Sequence, residues 1–483
     1  MSKSNDHLML INGELTASVS GQWMDSENPA NLEHLGRVPL ANKEDVARAF
    51  TAAEAAQPGW NAKTPAERAK LLRLVAQKLL ERNEEIVQLE VRDTGNTIGK
   101  MRGDLAAAAA QLDYYAGLGL EIKGETVPIA SEQWHLTMRE PYGVVGRIVP
   151  FNHPLFFALS AVSGPLMTGN SVLIKTPDQS PLSGSFLGEV CREVLPPGVV
   201  NILSGTGPLT GDAMVRHPGI RRIAFTGSVP TGLTIQKAAA ETCVKNISLE
   251  LGGKNPLIIF PDISPEQAAN EAIASMNFAW QGQSCGSKSR LFLHESIYDA
   301  TVALIKDKVA ALRIGDPLDP TSQTGPVNSK SQYERVLRYV EAGKQDGARL
   351  IHGGKRPAGA QFERGYWVEP TVFADVTMDM RIGKEEVFGP IMSIFKWKSV
   401  DEVIAMANAV EYGLTGAIWT NDMKTAINVG RRLQAGYICI NLPGSHYMGM
   451  PFGGYKNSGV GREECLEELL SYTQIKSYHI GLK

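Results

Sequence analysis

Cysteine is scarce in this 483-residue chain: five residues, at positions 191, 243, 285, 439 and 465, far apart and without a CxxC pair. An odd number at such spacing argues against a disulfide framework and against a zinc site, and fits a reducing compartment. Net charge is also small. Forty-eight Lys and Arg against 51 Asp and Glu leave −3, no electrostatic footprint for nucleic acid or an anionic membrane. The N-terminal MSKSNDHLMLINGEL lacks a basic segment followed by a long apolar run, so no secretory signal is evident and a cytoplasmic location is expected. The longest uncharged run, Leu155 to Ile174, is long enough to span a bilayer. Gly164-Pro165 and Gly169-Asn170 interrupt it, and NSVLIK then reads as a buried strand, so a core helix followed by a strand is expected. With no nucleic acid, membrane or metal site indicated, a small-molecule substrate remains.

A chain of this length exceeds what one hydrophobic core sustains, so two or three domains are expected. The first third reads as largely helical. In TPAERAKLLRLVAQKLLERN, Thr64 is an N-cap, Pro65 lies in the first turn and Glu67 completes a capping box, with Leu71, Leu72, Val75, Leu79 and Leu80 as the apolar stripe. From Gly143 short β-rich runs alternate with helical stretches: GVVGRIVP, NSVLIK, GVVNILSG, RRIAFTG and ISLELGG. That alternation means a parallel sheet covered on both faces, with ligands beyond the carboxyl ends of its strands. After Gly253 it restarts with NPLIIF, SRLFLHE, GAIWT and GYICIN, a second α/β domain. EQWHLTMREP and SYTQIKSYHI read as strands outside both cores, candidates for an edge that pairs with another subunit.

Five local signals carry chemistry. FTGSVPTG, Phe225 to Gly232, follows a strand and enters a helix, a context for a phosphate or simply a tight turn; SGTGPLTG, Ser204 to Gly211, is a second glycine-rich strand exit without a GxGxxG or Walker pattern. Lys175 leaves a buried strand with Asp178 three residues on, placed for ribose hydroxyls or for solvent. In LELGGKNP, Glu250 stands between leucines, either a carboxylate of raised pKa suited to general base work or one turned outward on an edge strand. In FAWQGQSCGSKSR, glycines and polar residues surround Cys285, a setting less suited to a packed core cysteine than to a nucleophile in a cleft.

Together LELGGKNP, QGQSC, EEVFGP (Glu385 to Pro390) and PFGGYKNSGVGRE (Pro451 to Glu463) resemble the signatures of the NAD(P)-dependent aldehyde dehydrogenase superfamily, in the family's order and essentially end to end. The resemblance implies a Rossmann-type cofactor domain (1–122 and 142–253), a second α/β catalytic domain (254–471) and a small β oligomerisation extension (123–141 and 472–483). Cys285 matches the thiol that attacks the aldehyde. Asn152 matches the oxyanion hole together with the Cys285 N–H, Glu250 the base that hydrolyses the thioester, and Glu463 a second carboxylate relaying the proton. Lys175 and Asp178 match adenosine-ribose contacts, Gly227 and Ser228 the pyrophosphate turn, and Gly207 the adenine-side loop. Glu386 matches the residue holding the nicotinamide ribose, with Phe388 beside the ring. Asp178 replaces a longer glutamate common in NAD-preferring members, yet an acid there still repels a 2′-phosphate, so NAD is expected over NADP. Trp280 stands where asparagine is usual, and Ala279 where a bulky residue often narrows the tunnel.

Tyr114, Phe157, His446, Tyr447 and Phe452 are the expected pocket walls. They favour an apolar or aromatic aldehyde over a succinate-type semialdehyde, which wants a cation. The expected reaction is oxidation to the carboxylic acid by a homodimer or homotetramer. The alternatives are a CoA-acylating dehydrogenase, which in this superfamily generally lacks the glutamate matched by Glu250, and a non-catalytic protein on the same scaffold.

Overall fold

A computed structural model describes residues 5–482. Residues 1–4 and 483, which the segments 1–122 and 472–483 include, lie outside the described residues.

Five parallel strands form the middle of an eight-stranded sheet, in the spatial order Val200–Leu203, Ser171–Lys175, Val144–Ile148, Arg222–Gly227, Asn246–Leu251. The chain starts at the central strand, winds outward on one side, then crosses back to build the other. That reversal puts a topological switch point beside Val144–Ile148. Along Ser171–Lys175, Val172 and Ile174 enter one core and Leu173 the other, so the unbroken apolar run reflects a strand buried on both faces. The uncharged run 155–174 resolves into helix Pro154–Met167 and this strand, and no helix among the described residues is long and apolar enough to cross a membrane.

Helix Pro65–Glu81 carries both hydrogen bonds of the Thr64/Glu67 capping box. It buries Leu72, Val75 and Leu79, whereas Leu80 is 40% exposed and departs from the expected stripe. The helical reading of the first third holds only from Lys43 onward. Before it lie Met9–Ile11 and Glu14–Thr16, which extend the sheet edge antiparallel, and the hairpin Trp23–Glu27 with His34–Pro39. Strands of three to six residues are too short to show a period in the sequence.

A second sheet runs Arg349–His352, Thr371–Ala374, Ile391–Trp397, Arg290–His294, Pro256–Ile259, Thr415–Trp419, Tyr437–Ile440; only the first is antiparallel to its neighbour. Its Pro256–Ile259 begins just after Asn246–Leu251 ends, across Gly252 to Asn255. The short strand Gly459–Val460 returns from the second half to pair antiparallel with Asn246–Leu251, Gly459 opposite Glu250. Thr473–Gly481 pairs with Gln133–Pro141 over nine residues, and Thr126–Val127 adds a third strand. This ribbon leaves Trp134, Met138, Ile475 and Ile480 exposed.

Candidate active site

A cavity of about 800 Å³ opens between the carboxyl ends of the first sheet and the segments that enter strands of the second. The first sheet contributes the exits at Asn152, Lys175 to Asp178, Gly207, Gly227 to Ser228 and Glu250. The second contributes Cys285, ahead of Arg290–His294, and Glu386 and Phe388, ahead of Ile391–Trp397. Phe157 lines it as well. Eleven of the residues singled out in the sequence thus converge on one cavity.

The loop that presents Cys285 is strained into shape. Asn277, Gln281 and Gly282 have positive φ (58°, 52° and 66°), and a side chain on Gly282 would collide with the Gly389 carbonyl oxygen, so only glycine fits where the two segments touch. Side-chain amides hold the turn. Gln281 Nε2 donates to the Gly95 carbonyl (3.1 Å), Gln283 Oε1 accepts from Asn328 N–H (3.2 Å), and Asn255 Nδ2 donates to the Cys285 carbonyl (2.6 Å) and to that of Ser287 (2.9 Å). Asn152 Nδ2 donates to the Gln283 carbonyl at 3.1 Å; an amide has two N–H bonds, so one remains for a ligand oxygen. Asn96 Nδ2 fixes the Asn152 carbonyl at 2.7 Å.

Burial pushes the Cys285 thiol well above its ordinary range, and the carboxylates of Glu250, Glu386 and Glu464 push the same way; buried Lys288, bonded to the Gly286 carbonyl at 2.8 Å, opposes them. Both influences favour the thiol form of the sulfur. Glu250 is 5% exposed, and its Oε1 has no hydrogen-bond partner. Burial first, then the neighbouring carboxylates Glu463 and Glu464, raise its affinity for a proton well above that of an ordinary carboxylate. Glu463 lies outside the cavity lining, at the end of the segment that pairs with the Glu250 strand. Burial lifts it to about 7 against the pull of Arg147, whose Nη1 is 3.5 Å away.

In the other half of the cavity Lys175 forms an ion pair with Asp178 Oδ1, and Asp178 Oδ2 accepts the Gly207 N–H at 3.0 Å. Burial lowers the Lys175 ammonium's hold on its proton, and Asp178 counters it. One carboxylate so ties together two strand exits. Ser228 caps helix Val229–Ala240 through Thr231 N–H. A methyl group built on Gly207 or Gly211 meets no atom within 4 Å, so bare backbone borders the cavity there, as close approach of a dinucleotide requires. Glu386 Oε1 accepts the Gly253 N–H at 2.9 Å, and burial raises its carboxyl to about 7. Phe388, at φ 55°, sets its ring edge-on to Phe151 at 5.6 Å.

The remaining expected wall residues do not line this cavity. Phe452 is 4% exposed and packs on Tyr437 and His446; His446 Nδ1 is 2.8 Å from Glu464 Oε1; Tyr447 is 46% exposed; the Tyr114 hydroxyl lies near Gly449. Several supporting residues escaped the sequence reading. Asn255 lies inside LELGGKNP and Lys288 beside Cys285, so both stood in quoted stretches. Gln332 and Arg335, on helix Lys330–Gln345, clamp the backbone of Glu386, Val387 and Phe388 from a place no local motif marks.

The sequence model described as the aldehyde dehydrogenase family matches residues 15–478. Aldehyde dehydrogenase tropH of Talaromyces stipitatus is 42% identical over 99% of this chain and 93% of its own length. The NAD+ complex of an aldehyde dehydrogenase from Bacillus cereus superposes with a TM-score of 0.95 at 39% identity, covering 99% of this chain and 97% of that one. Betaine aldehyde dehydrogenase from Staphylococcus aureus, solved with NAD+, gives 0.96 at 34% identity over 99% and 95%.

Proposed function

The chain belongs to the aldehyde dehydrogenase family and is an oxidoreductase of aldehydes; from that premise we propose that it converts an apolar or aromatic aldehyde into its carboxylic acid with NAD, through a covalent intermediate on Cys285. The observation that carries this reading is the meeting of the Cys285 thiol, the Asn152 amide and the unpartnered buried carboxylate oxygen of Glu250 on one cavity.

Glu250 takes the thiol proton as the sulfur bonds to the aldehyde carbon, and the carbonyl oxygen gathers charge against Asn152 Nδ2 and the Cys285 N–H. The cofactor fits the half of the cavity framed by Lys175, Asp178, Gly207, Gly227, Ser228, Glu386 and Phe388; bound there, it supplies the hydride acceptor that turns the thiohemiacetal into a thioester. Glu250 passes the thiol proton to Glu463 and is then free to take a second from water, whose oxygen attacks the thioester carbon; Cys285 leaves as the thiolate and is neutralised by that second proton as the acid departs. Glu463, held between burial and Arg147, receives the proton from Glu250. Asp178 selects NAD, since its carboxylate accepts from ribose hydroxyls and repels a 2′-phosphate. Of the expected aromatic walls Phe157 borders the cavity, and its ring favours an apolar or aromatic substrate.

The domain division at residues 122/142, 253 and 471 is part of this reading. So is a homodimer or homotetramer formed through the exposed ribbon of Gln133–Pro141 and Thr473–Gly481, whose apolar side chains face outward. A cytoplasmic setting suits five cysteines that are all unpaired. Steady-state NADH formation with an aldehyde, with and without CoA, tests the reaction. Turnover independent of CoA supports it; turnover that requires CoA replaces water with CoA as the acceptor, and no NADH in either case refutes catalysis.

A further inference from the structure

His153 follows Asn152 and precedes helix Pro154–Met167, so it stands one Cα step, ~3.8 Å, from the residue that faces the reacting carbonyl. Its ring lies edge-on to those of Trp280, Phe157 and Phe156, with centroids 5.0, 6.3 and 6.5 Å away. Into this apolar cage comes one carboxylate. Asp104, the first residue of helix Asp104–Gly117, places Oδ2 2.6 Å from His153 Nδ1, and both side chains are only 14% exposed.

An ion pair among aromatic rings is a poor way to gain stability, because removing two charges from water costs roughly what their attraction returns. It does fix an imidazole. Nδ1 donates to Asp104, the ring cannot rotate, and Nε2 is left without a protein partner among the described residues. Burial alone would lower the proton affinity of His153, but Asp104, helped by Glu90, outweighs it and raises it; in its protonated form the ring presents Nε2–H as a donor. In the same cage Trp280 Nε1 is buried and has no acceptor. Two N–H groups beside the oxyanion residue lack the one thing an otherwise apolar ring would not bring, an oxygen.

We propose that His153 and Trp280, which stand just behind the cavity lining where His153 packs on Phe157, form a polar subsite adjoining the aldehyde pocket that receives an oxygen substituent on the ring of an aromatic aldehyde, with Asp104 as the positioning residue. The proposal rests on the reading of the substrate as an aromatic aldehyde and narrows it to oxygen-substituted rings. It also accounts for Trp280 in a position where the family resemblance leads one to expect asparagine.

The test compares isosteric pairs, 4-hydroxybenzaldehyde with 4-methylbenzaldehyde and the corresponding 3-substituted pair, through the hydroxyl-to-methyl ratio of kcat/KM. Hexanal serves as the aliphatic reference. A hydrogen bond from a charged donor predicts a ratio of roughly 10 or more for one pair in the wild type. His153→Phe should bring that ratio close to one, and Asp104→Asn and Trp280→Phe should each lower it. Because only the ratio is read, a merely structural role, which depresses both substrates alike, leaves it unchanged and overturns the proposal; so does a wild-type ratio near one for both pairs. Should His153→Phe not fold, the other two variants and the wild-type ratio still decide. Oxidation of hexanal with none of the benzaldehydes overturns instead the aromatic reading, and this subsite with it.

Discussion

Replacing Glu250 by Gln separates the two halves of the reaction. The substitution keeps the shape of a side chain that is 5% exposed and removes its capacity to hold a proton. A positioned base contributes about 10²–10⁴-fold, so hydrolysis of the thioester should slow by that factor, about 3–5 kcal/mol on its barrier. Thiohemiacetal formation retains Cys285 and Asn152 and loses only help with the thiol proton. Mixing the variant with NAD and aldehyde in a stopped-flow instrument should therefore give a burst of about one NADH per active site, followed by slow turnover. The burst should quicken as pH rises, because burial and the remaining carboxylates Glu386 and Glu464 keep Cys285 protonated and hydroxide must replace the missing base. Wild type should instead gain activity as pH rises through the elevated titration of Glu250, a limb that the variant lacks. Sustained turnover at the wild-type rate would refute the assignment and point to Glu463 as the hydrolytic base.

Cys285→Ala should abolish hydride transfer altogether, with no burst; stoichiometric NADH from this variant would show that the aldehyde reacts without the sulfur. Asp178→Asn should raise kcat/KM for NADP relative to NAD by at least about fivefold, since one charge interaction at 4 Å is worth about 1 kcal/mol even in water; an unchanged ratio in steady-state assays would mean that the Asp178 carboxylate does not face the ribose. Glu90, buried and bonded to Leu155 N–H and the Ser183 hydroxyl, is raised by that burial to about 7. The folded state then holds a proton that the unfolded chain has released, so Glu90 costs stability as pH rises from the ordinary carboxylate range to about 7. Glu90→Gln escapes this cost, and its Tm should gain on the wild type between acid and mildly alkaline pH, by up to about 3 kcal/mol in stability. A gap that narrows with rising pH in calorimetry would contradict it.

Most of the parallel strands were legible in the sequence because each is a short apolar run, although Thr371–Ala374 and Ile391–Trp397 were not read, and the capping box at Thr64 was legible because it is local. Glu250 stood out as a carboxylate between leucines at the end of such a run and Cys285 as a thiol among glycines and polar residues, whereas Glu386 was reached only through the resemblance carried by EEVFGP. Pairing between distant segments left no such trace. Nothing local announces that Gly459–Val460 returns to the Glu250 strand and brings Glu463 behind the base, or that Gln332 and Arg335 hold the Glu386 segment. The same limit applies to the pocket walls. An aromatic residue in a loop reads alike whether it is buried like Phe452 or exposed like Tyr447, because its burial depends on elements far away in sequence. His153 and Asp104 are 49 residues apart, and no spacing rule joins them.

The central claim is a covalent acyl group on Cys285. Acid-quenching Glu250→Gln after one burst with NAD and aldehyde, followed by peptide mass spectrometry, tests it directly. The account predicts a mass gain equal to the aldehyde less two hydrogens, an acyl group in place of the thiol hydrogen, on the peptide that contains Cys285 and on no other. NADH formed in the burst with an unmodified Cys285, or an acyl group on a different residue, would contradict it.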